Sequence, residues 1–228
     1  MARWNAERRL LDHEHTQTWR HRLQEVDEPN LMREIYPYEE VARIDFDYKF
    51  VMPNPPEQML VTDTTFRDGQ QARPPYTVRQ IVEIFDMLHK LSGPKGIIRQ
   101  SEFFLYSNKD KEAVQRCLER GYPYPEITGW IRAKAEDLPL VRDMGLKETG
   151  ILTSVSDYHI FYKMNGTRSR IMEQYLSIVK AALDLGITPR CHFEDVTRAD
   201  IYGFCIPLAI ELMGLREESG IDIKIRLC

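Results

Sequence analysis

Short apolar runs alternate with longer segments of helical period from Gln58 to the last residue of the chain. The apolar runs have the length of buried strands, and the segments between them space their apolar residues three or four positions apart, as amphipathic helices do. This alternation predicts an α/β fold with parallel strands and right-handed crossovers. The predicted strands are 59–63, 97–104, 125–131, 147–153, 188–194 and 221–227, and the predicted helices are 77–92, 109–120, 135–144, 168–185 and 204–218.

The first 58 residues do not show this alternation of apolar runs and helical segments. From about residue 5 to residue 26 they are polar and helix-prone with only a broken apolar stripe, and prolines punctuate the following residues up to Pro56. We therefore expect an N-terminal helical and extended arm over residues 1–58, followed by an α/β domain over residues 59–228.

Two architectures use an uninterrupted strand and helix alternation, the open doubly wound sheet and the (β/α)8 barrel. A nucleotide-binding doubly wound sheet usually has a glycine-rich loop after its first strand, whereas this chain has RDGQQARPP with one glycine. A barrel places its chemistry at the carboxyl ends of its strands. Polar residues recur at five successive strand ends here: Asp63, Arg67, Asp68; Glu102; Arg132; Ser154, Asp157, His159; and Glu194, Asp195, Arg198.

The pattern therefore favours a TIM barrel, and an incomplete one. A (β/α)8 barrel typically needs about 250 residues. Residues 59–228 provide about five β/α units plus a sixth strand.

Composition and charge narrow the class of protein. Of the 228 residues 43% are hydrophobic and 29% charged, and the net charge of −4 gives no reason to expect nucleic acid or an anionic membrane as a partner. The chain has no apolar run of about 18 residues and no apolar signal-peptide core, so we expect a cytoplasmic protein. Its four cysteines are scattered without a CxxC pair, which predicts buried, reduced thiols.

The segment VTDTTFRDGQQ, residues 61–71, is the most concentrated candidate for chemistry. It places two acids and an arginine directly after the first predicted strand. In one interpretation Asp63 and Asp68 only cap the next helix or shape a turn, and Asp63 is a structural partner of Arg67. In the other, the segment is a catalytic rim loop.

This segment also carries a family resemblance. DTTFRDGQQ, residues 63–71, resembles the DTTLRDGxQ motif of the pyruvate-carboxyltransferase-like domain, also called HMG-CoA lyase-like or DRE-TIM metallolyase. That domain occurs in 2-isopropylmalate, homocitrate and citramalate synthases, in HMG-CoA lyase and in pyruvate carboxylase. Further similar pieces follow in order, SEFF at 101–104, SDYH at 156–159 and EDVTR at 194–198, whereas residues 1–50 match no part of the shared domain.

The resemblance implies roles for individual residues. Asp68 matches the metal-ligating aspartate, Arg67 the catalytic arginine beside it, and Glu102 the glutamate of the second strand. The family's other metal ligands are two histidines after a seventh strand, which would lie beyond Cys228. The implied cofactor is a divalent cation, Mg²⁺, Mn²⁺ or Zn²⁺.

The chemistry of these side chains agrees with the implied roles. A divalent cation polarises the carbonyl of a 2-oxo acid, and an arginine supplies a fixed charge for an enolate oxygen. Glu102 could hold Arg67 or a metal-bound water, while His159 and Glu194 are candidates for proton transfer. His192 faces the same side of its strand as Glu194, and either a structural or a site-lining role fits it. The candidate substrate-binding residues are Gln71, Arg132, Thr197 and Arg198.

The resemblance implies a carbon–carbon bond-forming enzyme, similar to 2-isopropylmalate synthase, that acts on an acyl-CoA and a 2-oxo acid. Alternatives are pyruvate carboxyl transfer and an HMG-CoA lyase-like cleavage. A third is a truncated, non-catalytic fragment that acts only within an assembly, because KIRLC at 224–228 resembles the sixth barrel strand and leaves an open edge. We expect a homo-oligomer with small-molecule substrates, and little turnover by the 228 residues alone.

Overall fold

The computed structural model describes residues 2–5, 10–13, 22–33, 57–71 and 73–228. Six parallel strands form one curled sheet, in which each strand pairs with the next along the chain. The sheet is an incomplete TIM barrel with helices between the strands, as the alternation predicted. The strands are β1 (Ala2–Asn5) and β2 (Leu10–His13), which pair separately, and then β3 (Val61–Asp63), β4 (Ile98–Phe103), β5 (Glu126–Arg132), β6 (Glu148–Ser154), β7 (Thr188–Glu194) and β8 (Lys224–Leu227) of the barrel sheet.

Five helices connect the barrel strands, and each begins within a few residues of its predicted start. Thr77 and Ser107 cap the first two helices with reciprocal side-chain and backbone hydrogen bonds, and Thr167 caps the fourth. A π-helical turn, Ile201–Cys205, precedes the fifth helix. The helices are α1 (Val78–Ser92), α2 (Asn108–Leu118), α3 (Leu138–Asp143), α4 (Arg168–Asp184) and α5 (Ile206–Ser219).

The hydrophobic core lies between the outer face of the sheet and these helices. Phe103 of β4 is buried against two other aromatic rings, with a centroid separation of 4.6 Å from Phe66 and 6.1 Å from Phe85. Glu102, next to Phe103 along β4, is buried too, and alternate residues of the strand face the inside of the curl. The apolar packing therefore supports the sheet from outside and leaves the inner face free for polar groups.

The inner face carries a buried ionic layer. Arg190 of β7 donates to Gln100 of β4 at 2.7 Å and pairs with Glu148 of β6. Gln100 donates to Glu148 at 2.8 Å, and Lys224 of β8 completes the pairing of that carboxylate. Four strands are thus joined across the inside of the curl by charge-assisted hydrogen bonds.

The prediction of a helix from about residue 5 to residue 26 is wrong where the structure describes the chain. Leu10–His13 is a strand paired antiparallel with Ala2–Asn5, and residues 22–26 form neither helix nor strand. A broken apolar stripe gives a helix little surface to bury, so propensity alone does not hold it. Residues 6–9, 14–21 and 34–56 of the expected arm lie outside the described residues, and the division at residue 58 stays a prediction.

Two further expectations can be compared with the structure. Cys117, Cys191 and Cys205 are buried free thiols as predicted, but Cys228 is exposed, because it follows β8 at the end of the sheet. Over the described ranges, the helices are too short or too polar for any of them to cross a membrane.

Replacing Phe103 with alanine should reduce the free energy of unfolding by about 3–5 kcal/mol, because a cavity would open beside Phe66 and Phe85. Leu91→Ala is the matched control, since Leu91 is 74% exposed on α1 and should change stability by less than about 0.5 kcal/mol. Urea unfolding followed by circular dichroism measures both. Similar losses for the two variants would contradict this packing of the core.

Candidate active site

The loop after β3 is shaped by Asp63 and Thr64. Thr65 Oγ1 donates to Asp63 Oδ1 at 2.6 Å, and Ser101 Oγ donates to Asp63 Oδ2 at 2.7 Å. The backbone N–H groups of Arg67 and Asp68 both donate to the Thr64 carbonyl, at 3.0 and 2.8 Å. Asp63 therefore shapes a turn, as one interpretation of the sequence held, and this turn presents Arg67 and Asp68 at the carboxyl end of the strand.

Arg67 is held between a carboxylate and an aromatic face. Its guanidinium pairs with Asp68 and lies 3.9 Å from the ring centre of Trp130. Its Nε is buried without a hydrogen-bond partner in the described part of the chain. Burial lowers the pKa of Arg67, while the carboxylates of Glu102 and Glu194 oppose that shift, so both lie within electrostatic reach. Arg67 is thus a positive charge that Asp68 and Trp130 hold in a fixed position.

Glu102 lies on the inner face of β4 and is almost fully buried. It pairs with Arg190, and its Oε2 lies 3.4 Å from His192 Nε2 and 3.6 Å from Arg226 Nη1. Burial by itself raises the pKa of Glu102, but the contact with His192 and the charges of Arg190 and Arg226 outweigh it and lower the pKa. The structure therefore holds Glu102 as an ionised carboxylate bound to Arg190, with Arg67 further away.

A second cluster forms where β6 and β7 end. Glu194 accepts a hydrogen bond from Ser154 Oγ, and its Oε2 lies 3.2 Å from Lys163 Nζ and 3.4 Å from His159 Nδ1. His159 lies on a π-helical turn, Tyr158–Lys163, and its Nδ1 is buried without a well-formed hydrogen bond in the described region.

The electrostatics of this cluster separate its two titratable groups. Burial, and then Lys163, lower the pKa of His159 despite the opposing charge of Glu194. Burial raises the pKa of Glu194, but the Ser154 hydrogen bond and Lys163 lower it by more. A neutral imidazole beside an ionised carboxylate is an arrangement that can accept and relay a proton.

The four candidate substrate-binding residues lie at the same rim. Arg132 donates two hydrogen bonds of 2.8 Å to Asp137, and Arg198 donates two of 2.7 and 2.8 Å to Asp195. Gln71 is exposed at the end of the first loop, and Thr197 lies on a 3-10 turn after β7. These positions are accessible to a ligand, and the assigned roles stay predictions.

Sequence reasoning missed three residues that complete the inner face. Arg190 and Arg226 bind or approach Glu102, and Trp130 supports Arg67. A signal for Arg190 was present in the chain: Arg190, His192 and Glu194 are alternate residues of one strand, and period two places them on one face. The guanidinium of Arg67 above the ring of Trp130 gives this tryptophan a part in the candidate site.

The described residues do not by themselves fit a metal ion. Asp68 offers one partly exposed carboxylate, which is paired with Arg67. Among the residues that the structure describes, no group of three or more His, Cys, Asp or Glu side chains is placed to hold a cation. Asp68 is therefore available as a single ligand.

Comparison with known proteins gives matches along most of the chain. The HMGL-like family model matches residues 58–206. The chain is 68% identical to a citrate (Re)-synthase of Syntrophus aciditrophicus over all of its length and 36% of that protein. It is 55% identical to a citrate (Re)-synthase of Clostridium kluyveri, covering 91% of this chain and 46% of the relative. The chain thus spans between about a third and a half of the length of these curated relatives.

A solved structure supports the fold. The HMG-CoA lyase of Bacillus subtilis superposes with a TM-score of 0.53 at 17% identity, covering 75% of this chain and 58% of the lyase. At that identity the likeness concerns the arrangement of strands and helices.

The pKa of His192, lowered chiefly by burial, makes stability depend on pH. As the pH falls below about 6.5, the unfolded chain protonates this histidine before the folded chain does, so the free energy of unfolding falls. Between about pH 7.5 and pH 5.5, the free energy of unfolding of the His192→Gln variant should fall by about 1 kcal/mol less than that of the unmodified protein. Urea unfolding at the two pH values measures the difference, and equal losses in both proteins would refute it.

Proposed function

Because this chain belongs to the HMGL-like family, we propose that the protein joins an acyl-CoA to a 2-oxo acid, as a synthase of the citrate-forming kind. The observation that carries the proposal is the placement of charged Arg67 and the His159–Glu194 pair at one end of the sheet. The names of the two relatives support acetyl-CoA and oxaloacetate as substrates, since these supply the two fragments of citrate.

The acyl-CoA methyl group loses a proton, the resulting enolate forms a carbon–carbon bond with the 2-oxo carbon, and water then hydrolyses the thioester and releases the CoA thiol. The first step needs a base and a stabilised enolate. His159 is a suitable base because it is neutral, and Glu194 faces its Nδ1. With a proton on Nδ1 held toward Glu194, Nε2 is free to accept the methyl proton. The contact of 3.4 Å between these groups is longer than a hydrogen bond and would tighten when substrate binds.

Arg67 supplies the electrostatic part of the mechanism. Its unpaired Nε and its charge suit an oxygen on which negative charge develops, and its ring contact with Trp130 fixes its direction. Glu102 acts through the inner face by holding Arg190 and His192 beneath the site.

A divalent cation, Mg²⁺, Mn²⁺ or Zn²⁺, forms part of the proposal, with Asp68 as one ligand. When bound, such an ion polarises the carbonyl of a 2-oxo acid. Its other ligands would come from residues outside those that the structure describes.

The first experiment identifies the reaction. The protein, expressed from its whole reading frame, is mixed with acetyl-CoA and a panel of 2-oxo acids, and release of the CoA thiol is followed with a chromogenic thiol reagent. We expect the fastest release with oxaloacetate, its loss after chelation, and its return with one of the three cations. No release with any acid would reject the synthase proposal, and acetyl-CoA formation from HMG-CoA would favour the cleavage alternative.

Arg67→Lys should lower kcat by about 100-fold or more, because an ammonium cannot reproduce the planar, stacked guanidinium with its side-directed Nε. The matched control is Arg79→Lys on α1, where the arginine is exposed and pairs with Glu83. It should retain the kcat of the unmodified protein. Steady-state kinetics of both variants, after circular dichroism has shown that they are folded, decide the outcome; comparable rates for the two would remove Arg67 from the mechanism.

A further inference from the structure

Residues 22–33 precede the residues that match the family model, yet they contact the candidate active site's loops. The backbone N–H of Gln24 donates to the Gly203 carbonyl at 3.1 Å, and that of Asn30 donates to Asp157 Oδ2 at 2.8 Å. Glu25 accepts from the backbone N–H groups of Arg168 and Ser169, at 3.2 and 3.0 Å. The segment is thus fastened to the loops after β6 and β7 and to the start of α4.

Arg168 is the centre of these contacts and is fully buried. Its Nε and Nη2 donate to the two oxygens of Asp157, at 2.8 and 2.7 Å. Its Nη1 donates to Asp200 Oδ2 at 3.0 Å and to the Gln24 carbonyl at 2.9 Å. One fully buried guanidinium therefore joins three pieces of chain, and the loss of any partner is costly at such a position.

Asp157 connects these contacts to His159, which lies two residues further along the chain. Asp157 is buried and begins the π-helical turn that carries His159. On the other side, Ser156 Oγ accepts from the His159 backbone N–H at 3.3 Å and donates to Asp195 at 2.6 Å. A shift of Asp157 must therefore change the position of His159 relative to Glu194.

We propose that residues 22–33 and Arg168 form a clamp that positions His159 against Glu194, with Arg168 as a positioning residue. The catalytic consequence rests on the proposed function, whereas the geometric part does not. Glu25 closes the clamp at the N-terminus of α4, where a carboxylate is favoured by the helix dipole and by two backbone donors.

The pKa of His159 reports whether the clamp is intact, because burial and nearby charges determine it. Burial influences its pKa most, followed among the described residues by the charges of Lys163, Glu194, Asp195 and Arg198. Loosening the clamp lets water reach the imidazole, so its pKa should rise toward the ordinary value. A variant that only weakens the fold as a whole leaves the folded population with an unchanged pKa.

The test uses Glu25→Gln, which removes the charge at α4 without leaving a buried ion unpaired, and Arg168→Lys, which keeps the charge but loses the double contact with Asp157. Glu28→Gln is the matched control, because Glu28 is exposed in the same segment as Glu25 but takes no part in the contacts with α4. NMR titration of the His159 ring, assigned with a His159→Gln sample, should show a rise of about 0.5 unit in both clamp variants and no change in the control. Hydrogen exchange of residues 22–33 is measured in parallel.

Each outcome decides the proposal. Faster exchange in residues 22–33 with an unchanged His159 titration means that the segment does not position His159. Unchanged exchange in both variants means that Glu25 and Arg168 do not hold the segment, which overturns the clamp equally.

Enzyme kinetics of the same variants test the clamp independently. In an active protein the clamp variants should lose about fivefold in kcat, with the KM for acyl-CoA unchanged and the pH profile displaced with the His159 pKa. A protein without turnover rejects the synthase proposal and leaves the NMR result to decide the clamp, whereas normal kcat with a shifted pKa removes His159 from the chemistry.

Discussion

The pairing of the barrel strands depends on the buried positive charge of Arg190 on the inner face of the sheet. This charge serves two buried carboxylates, Glu102 and Glu148, which come from different strands. A buried carboxylate without such a partner is strongly unfavourable, so the register of β4, β6 and β7 is tied to this one guanidinium. Gly150, between them on β6, leaves the required space: a Cβ there would lie 3.0 Å from Glu102 Oε2 and 2.8 Å from His192 Nε2.

The same ionic layer lies between the amino ends of the strands and the rim that carries the candidate catalytic residues. Toward the amino ends of the strands, Gln100 and Lys224 complete the pairing of Glu148. Above, Glu102 and His192 meet the rim where Arg67 and Glu194 lie within electrostatic reach of each other. Fixed charges beneath a rim need little reorganisation when charge develops above them, which is the condition for electrostatic catalysis.

Much of this could be predicted from periodicity, and some of it could not. The strand predicted at 188–194 is β7, and alternation along it places His192 and Glu194 on one face. The partners of Arg190 lie 42 and 88 residues away in the chain, and no local pattern specifies such a pairing. The described parts of the expected N-terminal helix, residues 10–13 and 22–26, are not helical for the opposite reason: their local propensity was favourable, while the stripe of apolar residues was too broken to be packed.

The family match and the hydrogen-bonded contacts of the fold begin at different residues of the chain. The family model begins at residue 58, but Arg168 and Asp157 take partners from Gln24 and Asn30. Trimming the chain to the matched residues would remove those partners. It would expose the guanidinium of Arg168 and the carboxylate of Asp157, both of which are buried in the folded chain. The contacts that hold the loops after β6 and β7 therefore include chain that precedes the residues shared with the family model.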